Sequence, residues 1–506
     1  MNHCSSSQVV DNSQIPPRWP ERSLLLALAG ASLVVIGLLS QKLANLRFED
    51  ALIILRYGRN LANGEGFVFN PGDHVLGVTS PLQTILVTIM TVISPAHAPE
   101  LVNVLGIIFL IAGAWMAGLL VWKFHKPAAS LLAGILILSN LNQTYLYVGM
   151  EVPLFAFLIL LAVHVFSSGR ELWLGVVLGL AFLTRYDAAL LALLMGSYLW
   201  WRNKVFPYRL VLAFTAIVGP WLVFAQMYFG SILPTALGAK YGHSGAMTYM
   251  SEVIRYYGAT FTALGARCGA PAAAQQALPY MFPAVALVGL WRILRADHRY
   301  AVLFLYAFLH LATYGLIGAD PRFRWHYFIL NPVLFLAFAV GFCEISDRAL
   351  RVFSLRAPFK PVVRRVGVVG ISLVLLGPLT WSLWTSLHRP YRPAPHTRDM
   401  FTVARWIAER YDKTTTLMNP SIGILGYETG LHMIDHAGLV TEELRYLDGD
   451  RHTPLADVIQ RHRPDLILLP SAVQFDSLKH GYRLLKKFDL QNPYTLYDRS
   501  ADGPRP

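Results

Sequence analysis

The feature that most limits this chain is a succession of apolar runs, most of them long enough to cross a bilayer, separated by short basic stretches. A spanning helix needs about 17–25 predominantly apolar residues. Such runs lie near 23–41, 101–122, 127–144, 150–168, 208–227, 276–293, 299–318, 326–345 and 366–387. Segment 171–200 is too long for one span and carries Thr184-Arg185-Tyr186-Asp187 at its middle, so it reads as a hairpin of two short helices. The expectation is a polytopic α-helical membrane protein with about eleven crossings. Composition agrees. Of the 506 residues, 55% are hydrophobic and 14% charged, where a soluble domain carries about 25% charged residues.

The net charge of +13 is concentrated in short loops: Trp122 to Lys126, Gly169-Arg170, Arg202-Asn203-Lys204, Arg292 to Arg299 and Arg348 to Arg365. Clusters of this kind set topology through the positive-inside rule and give no reason to invoke nucleic acid. Basic loops with few acids also suit anionic lipid or phosphate. All of them fall on the cytoplasmic side if segment 80–95 lies in the first outer loop instead of crossing. Ser80-Pro81 reads as its start, with Ser as cap and Pro at the first helical position. Residues 1–22 then form a cytoplasmic tail. Arg18 and Arg22 precede the first run without a small-residue cleavage site, as in a retained signal anchor. Residues 23–388 form the membrane domain. Its outer face holds 42–100, the turn Gly149-Met150-Glu151, Arg185-Tyr186-Asp187, loop 228–275 and Gly318 to His326.

Beyond 388 the composition changes, and 389–506 reads as a small α/β domain outside the membrane with a partly parallel sheet. Met400, Val403, Ile407 and Tyr411 follow helical spacing. Strand-like runs occur at Thr414 to Met418, His432 to Asp435, Asp465 to Leu469 and Tyr494 to Tyr497, with helices expected over Leu455 to His462 and Ser477 to Phe488. Cys4, Cys268 and Cys343 are too far apart for a ligand set or disulfide framework.

The polar residues that interrupt this pattern collect on the outer face. Adjacent carboxylates Glu49 and Asp50 beside a bilayer are costly unless they are wet, paired or used. They precede Arg56 and Arg59 on one helix, and the turn-forming Gly64-Glu65-Gly66 follows. That turn lacks the preceding strand and glycine spacing of a nucleotide fingerprint. Acids, arginines and a loop at a membrane mouth are what transfer of a sugar from a lipid carrier requires. The reaction needs a base for the acceptor hydroxyl, charge stabilisation for the leaving phosphate, and orientation of the sugar.

The residues Glu49 to Ile53, Arg56-Tyr57-Gly58-Arg59-Asn60-Leu61, Gly64 to Gly72 and Thr79-Ser80-Pro81-Leu82 resemble the first outer loop of bacterial GT-C glycosyltransferases. The likeness is nearest the branch with mycobacterial cell-wall arabinofuranosyltransferases and related pilin- or lipid-modifying enzymes. Gly149 to Leu154, Leu183 to Asp187, Tyr228 to Pro234, Ile422 to Tyr427 and Ile434 to Leu439 extend it along most of the chain. The resemblance implies the GT-C fold of 11 to 13 helices, a polyprenyl-phosphate-linked sugar donor and an extracytoplasmic glycan, lipid or protein acceptor. It also implies a bacterial inner-membrane location with the tail on the periplasmic side. The acidic pair is Glu-Asp where many relatives have Asp-Asp, and Tyr186 stands where Pro is common.

By this resemblance Asp50 matches the family's catalytic aspartate. Glu49 either assists it, holds a divalent ion (Mg or Mn) or raises the Asp50 pKa by repulsion; alternatively both acids face water and cap the following helix. Arg56, with neighbouring Tyr57, is a substrate-binding candidate that shares the Asp50 mouth or snorkels to headgroups, and for Arg59 snorkelling is the favoured of the same two readings. Arg185 and Asp187 are substrate-binding candidates whose alternative is a structural ion pair. Glu151 either binds sugar or starts a helix. Lys240 and the cluster Arg322-Phe323-Arg324-Trp325-His326-Tyr327 are placed to grip phosphate and stack on sugar, or to form an interfacial belt. Asp435-His436 reads as a turn or an acceptor contact. No His, Cys or Asp group has zinc spacing. Three rivals remain: a flippase for a lipid-linked sugar, which would want midplane charges; an oligosaccharyltransferase-like enzyme, whose Trp-Trp-Asp is missing; and a non-catalytic scaffold.

Overall fold

The computed structural model describes residues 28–33, 36–37, 48–124, 127–139, 147, 149–237, 245–267, 272–321, 323–328, 330–356, 395–435, 438–441, 455–473, 475 and 480–499. Most of the expected runs at 23–41 and 366–387 lies outside them.

Helix α1 (Glu49–Ala62) starts with two acids in its first turn and ends with Arg59 in its last, complementing the helix dipole at both ends. It is followed by α2 (Pro81–Ile93), α3 (Ala98–Trp122), α4 (Pro127–Ser139), α5 (Val152–Ser167), α6 (Glu171–Thr184), α7 (Ala188–Asn203) and α8 (Tyr208–Phe229). Then come α9 (Ala246–Arg267), α10 (Ala272–Ala296), α11 (Ala301–Leu316), a single turn at Trp325–Phe328, and α12 (Asn331–Arg356). The 171–200 segment does form two helices, α6 and α7, broken at Arg185-Tyr186-Asp187. Among the described residues, two stretches are both long and apolar enough to cross a membrane, Pro95–Trp122 and Tyr208–Phe229. On α8 the side chains of Leu212, Val223 and Met227 are 65%, 60% and 83% exposed, a surface that suits lipid rather than water.

Helix α9 was not expected; loop 228–275 had been read as an outer loop. Its 22 residues include Glu252, Arg255 and Arg267, which break any spanning run, yet Tyr249 and Val253 bury one face. Helices α10 and α12 cross at small residues. A Cβ on Gly289 would overlap the Ala337 carbonyl, and one on Gly341 the Val285 carbonyl, so two glycines set the closeness of this crossing.

The tail begins with α13 (Pro395–Ala408) and contains β1 (Thr416–Met418), α14 (Ile422–Thr429), β2 (His432–Ile434), α15 (Leu455–His462), β3 (Leu466–Pro470), β4 (Tyr482–Phe488) and β5 (Tyr494–Arg499). The sheet order is β2-β1-β3-β5-β4. Strand β1 is parallel to β2 and β3, while β3–β5 and β4–β5 are antiparallel. Residues 482–488 form this edge strand and not the helix expected over 477–488. A register shift between Leu484 and Lys486 disturbs the alternation that would have marked a strand. The exposed edge carries Lys486 and Lys487, a common guard against strand addition.

The tail packs against α1 through one core that joins Leu52, Leu55, Tyr57 and Phe69 to Met400, Leu425 and Met433. Helix α14 lies on α1 with both ends held. Gly423 N–H and Ile424 N–H donate to the Glu49 carboxylate at 2.7 and 3.2 Å. At the other end Arg56 donates to Gly426 O (2.7 Å) and Leu431 O (2.6 Å), and Arg59 to Tyr427 O (2.8 Å). An acid at the N-terminus and two arginines at the C-terminus match the helix dipole from a neighbouring element. The Asn70 amide bonds Met433 O and accepts from Met433 N–H, both at 3.0 Å, as a strand partner would.

Candidate active site

A cavity of about 390 Å³ opens where α1, the 77–80 segment, the α6–α7 break, the Trp325 turn and the tail meet. This is within the usual size of small-molecule sites, about 300–1,000 Å³. Asp50 faces it from the first turn of α1. Glu151, Arg185, Asp187, Trp325 and His326 contribute to its wall. Six residues from four widely separated stretches of sequence thus converge on one space.

The wall is organised around Arg185. Its guanidinium donates to Glu151 Oε1 (2.9 Å), to Asp187 Oδ2 from both Nε (3.2 Å) and Nη2 (3.1 Å), and to the Tyr314 hydroxyl (2.7 Å). Tyr314 in turn donates to Asp187 Oδ2 at 2.8 Å. Arg185 is 7% exposed and Glu151 2%, and each buried charge has a counter-charge, which makes the burial tolerable. Burial opposes ionisation of Asp187, yet Arg185, His310 and the Tyr314 hydrogen bond hold its carboxyl below the usual range. The α6–α7 break therefore serves as more than a hairpin turn. It delivers an arginine and a carboxylate to the same wall.

Trp325 packs edge-on against Phe48 (5.7 Å between centroids) and Tyr147 (6.0 Å), beside the start of α1. Arg324 is solvent-exposed, with its guanidinium 5.1 Å from the Tyr256 ring centroid, and is not part of the cavity lining. Lys240 and Arg322 lie outside the described residues, as does His436.

Three expected site residues stand elsewhere. Glu49, expected to assist Asp50, turns away to cap α14. Burial pushes its carboxyl up to about 7 against the pull of the two backbone N–H groups. Arg56 does not reach the cavity and neither shares the Asp50 mouth nor snorkels. It is 1% exposed, bonded to Phe69 O (2.7 Å), Gly426 O and Leu431 O, with Asn70 Oδ1 at 3.3 Å. Burial, then repulsion from Arg59, pulls its guanidinium down to about 9. Tyr57 is fully buried between Val75 O, to which it donates at 2.7 Å, and Gly77 N–H, which it accepts at 2.9 Å. Arg56 and Tyr57 hold the outer loop and tail in place.

Further residues of the site were not among the expected binding residues. Tyr314 and His310 are buried on α11 four residues apart. Their signal was present, because polar groups at i and i+4 inside an apolar helix share one face. Tyr186 lines the cavity and accepts from Trp221 Nε1 at 3.0 Å. Leu439 of the tail closes one side, held by the Thr235 hydroxyl, which donates to its carbonyl at 2.6 Å. Among the described residues no group of three or more His, Cys, Asp or Glu side chains is arranged to hold a metal ion.

With this geometry in view, the chain superposes on ArnT from Cupriavidus metallidurans bound to undecaprenyl phosphate with a TM-score of 0.63. The superposition covers 96% of this chain and 99% of that one at 11% identity. The fold is that of the GT-C glycosyltransferases. The archaeal oligosaccharyltransferase AglB from Archaeoglobus fulgidus, in complex with an inhibitory peptide and a dolichol-phosphate, is also similar. Its TM-score is 0.55 at 11% identity, covering 89% of this chain and 69% of that one. Residues 389–502 match a domain of unknown function, DUF8728. No curated protein matches the sequence.

Proposed function

We propose that this chain is an inverting membrane glycosyltransferase that moves one sugar from a polyprenyl-phosphate donor to an extracytoplasmic cell-envelope acceptor. The observation that carries the reading is Asp50 facing the same cavity as the Arg185–Glu151–Asp187 wall, inside a fold shared with glycosyltransferases. In this mechanism Asp50 takes the proton of the acceptor hydroxyl. The freed oxygen attacks the anomeric carbon from the face opposite the phosphate, the carbon–oxygen bond to phosphate breaks, and the polyprenyl phosphate leaves with the electron pair. Inversion follows from the single displacement, and the proton on Asp50 returns to water.

Arg185 is fixed by two carboxylates, so its role is to set the sugar-facing wall. Charge for the departing phosphate falls to Arg324 and to Lys240. Trp325 and His326 offer ring faces to the sugar. The acceptor is a glycan, lipid or protein, and arabinofuranose is one donor sugar compatible with the resemblance. The protein would sit in a bacterial inner membrane with the tail on the periplasmic side. Mass spectrometry of envelope glycans and glycoproteins from cells with and without the gene tests the proposal. A mass difference equal to one sugar residue on a defined acceptor is expected, and unchanged glycans with altered transbilayer distribution of the lipid-linked sugar would favour a flippase instead.

A further inference from the structure

Ser80 immediately precedes α2, where a serine normally turns its hydroxyl back to accept from the N–H groups of the first turn. Here it does not. The Ser80 side chain makes no capping hydrogen bond, although the Ser80 carbonyl accepts from Thr84 N–H at 3.0 Å. Its Oγ is buried and without a hydrogen-bond partner, the residue is 1% exposed, and it faces the cavity that holds Asp50. The protein forgoes a helix cap and leaves a buried hydroxyl unsatisfied, an arrangement that costs stability and that gives this residue a reason to line the cavity.

A second lining residue carries an open valence. Asp187 Oδ2 receives the bonds from Arg185 and Tyr314, while Oδ1 is buried and has no hydrogen-bond partner. Carboxylate oxygens accept only, so this position calls for a donor. The cavity is lined by Asp50, Glu151 and Asp187 against Arg185, an excess of negative charge that disfavours an anion within it. An uncharged ligand rich in hydroxyls satisfies both positions. One hydroxyl exchanges hydrogen bonds with Ser80 Oγ, which donates or accepts, and another donates to Asp187 Oδ1.

We infer that Ser80 and the Oδ1 face of Asp187 form the hydroxyl-reading subsite for the transferred sugar, with the phosphate of its carrier lying outside them. The inference rests on the glycosyltransferase reading. It assigns Ser80 to ligand binding and not to helix capping.

The test is Ser80→Ala in the full chain, purified into lipid nanodiscs, with two readouts. One is the thermal midpoint of unfolding. The other is the affinity for undecaprenyl-phosphoryl pentose and hexose probes relative to bare undecaprenyl phosphate. The two should move apart. The midpoint stays the same or rises, because an unsatisfied buried hydroxyl is removed. The preference for the best sugar-bearing probe over bare carrier falls about tenfold, the loss expected for one hydrogen bond of about 1.4 kcal/mol. Ser80→Thr keeps the hydroxyl and should retain more of that preference than Ser80→Ala. A lower midpoint with an unchanged preference would make Ser80 structural and overturn the subsite alone. A wild-type protein with no preference for any sugar-bearing probe over bare carrier would overturn the subsite and the glycosyltransferase reading together.

Discussion

Arg56 and Arg185 are both buried, at 1% and 7% exposure, but their surroundings differ in kind. Arg56 is bonded to backbone carbonyls from two parts of the chain and an asparagine, and among the described residues it makes no ion pair. Arg185 is bonded to side chains that are themselves charged or polar, and its partners line a cavity. Neutral carbonyls fix a position without creating reactivity. Carboxylates held by an arginine make a polar wall whose remaining valences, at Asp187 Oδ1, stay open to a ligand. The region around Arg56 is a joint between the membrane helices and the tail, and the region around Arg185 is a site. Adjacent Glu49 and Asp50 repeat the contrast, because the first caps α14 and the second faces the cavity.

The sharpest way to break this comparison is at the acidic pair. Asp50→Asn should lower transfer by about 10²–10⁴-fold, the range for losing a general base, with the thermal midpoint unchanged. Near-normal turnover, or a collapse of stability, would remove the division between joint and site. Arg56→Met should do the reverse. It removes a donor from three carbonyls, of which Phe69 O keeps Asn60 Nδ2 and Gly426 O keeps Gly430 N–H while Leu431 O is stranded, and the expected destabilisation is on the order of 2 kcal/mol. Protease sensitivity of the tail reads this directly, with cleavage around 422–434 rising before the membrane helices unfold.

A graded effect is expected from Glu49. Its pKa in the docked state is about 7 against an ordinary 4.5. A carboxyl raised in this way favours docking most below pH 4.5, and that contribution is lost as pH rises through 7. Docking of the tail should weaken over this window by on the order of 2 kcal/mol, and Glu49→Gln should flatten the profile. Hydrogen exchange of the Gly423 and Ile424 amides as a function of pH checks it. A wild-type profile as flat as that of the variant would mean that the Glu49 carboxyl is not perturbed.

Much of the site was legible because charge inside apolar sequence is expensive. Arg185 and Asp187 stand out for that reason alone, and Asp50 stands out by position and resemblance. The sequence could not tell Arg56 from Arg185, since both are arginines beside apolar runs and their difference lies in partners as much as 375 residues away. Nor could it divide Glu49 from Asp50, which differ by one step of about 100° around a helix. Apolar helices of ordinary length were readable, whereas α9 was hidden by its charges and β4 by its bulge. Ser80 was misread for a physical reason. Ser-Pro is a sound capping signal, but the Ser80 hydroxyl makes no capping bond and lies buried without a partner.

The most direct test of the central claim is to locate a lipid-linked sugar on the protein. A photoreactive undecaprenyl-phosphoryl sugar, crosslinked to the full chain in nanodiscs and mapped by mass spectrometry, should label peptides containing 77–80, 185–187 or 325–326, with labelling competed by unmodified donor. Competable labelling confined to other surfaces, with these three segments unmarked, would contradict the account.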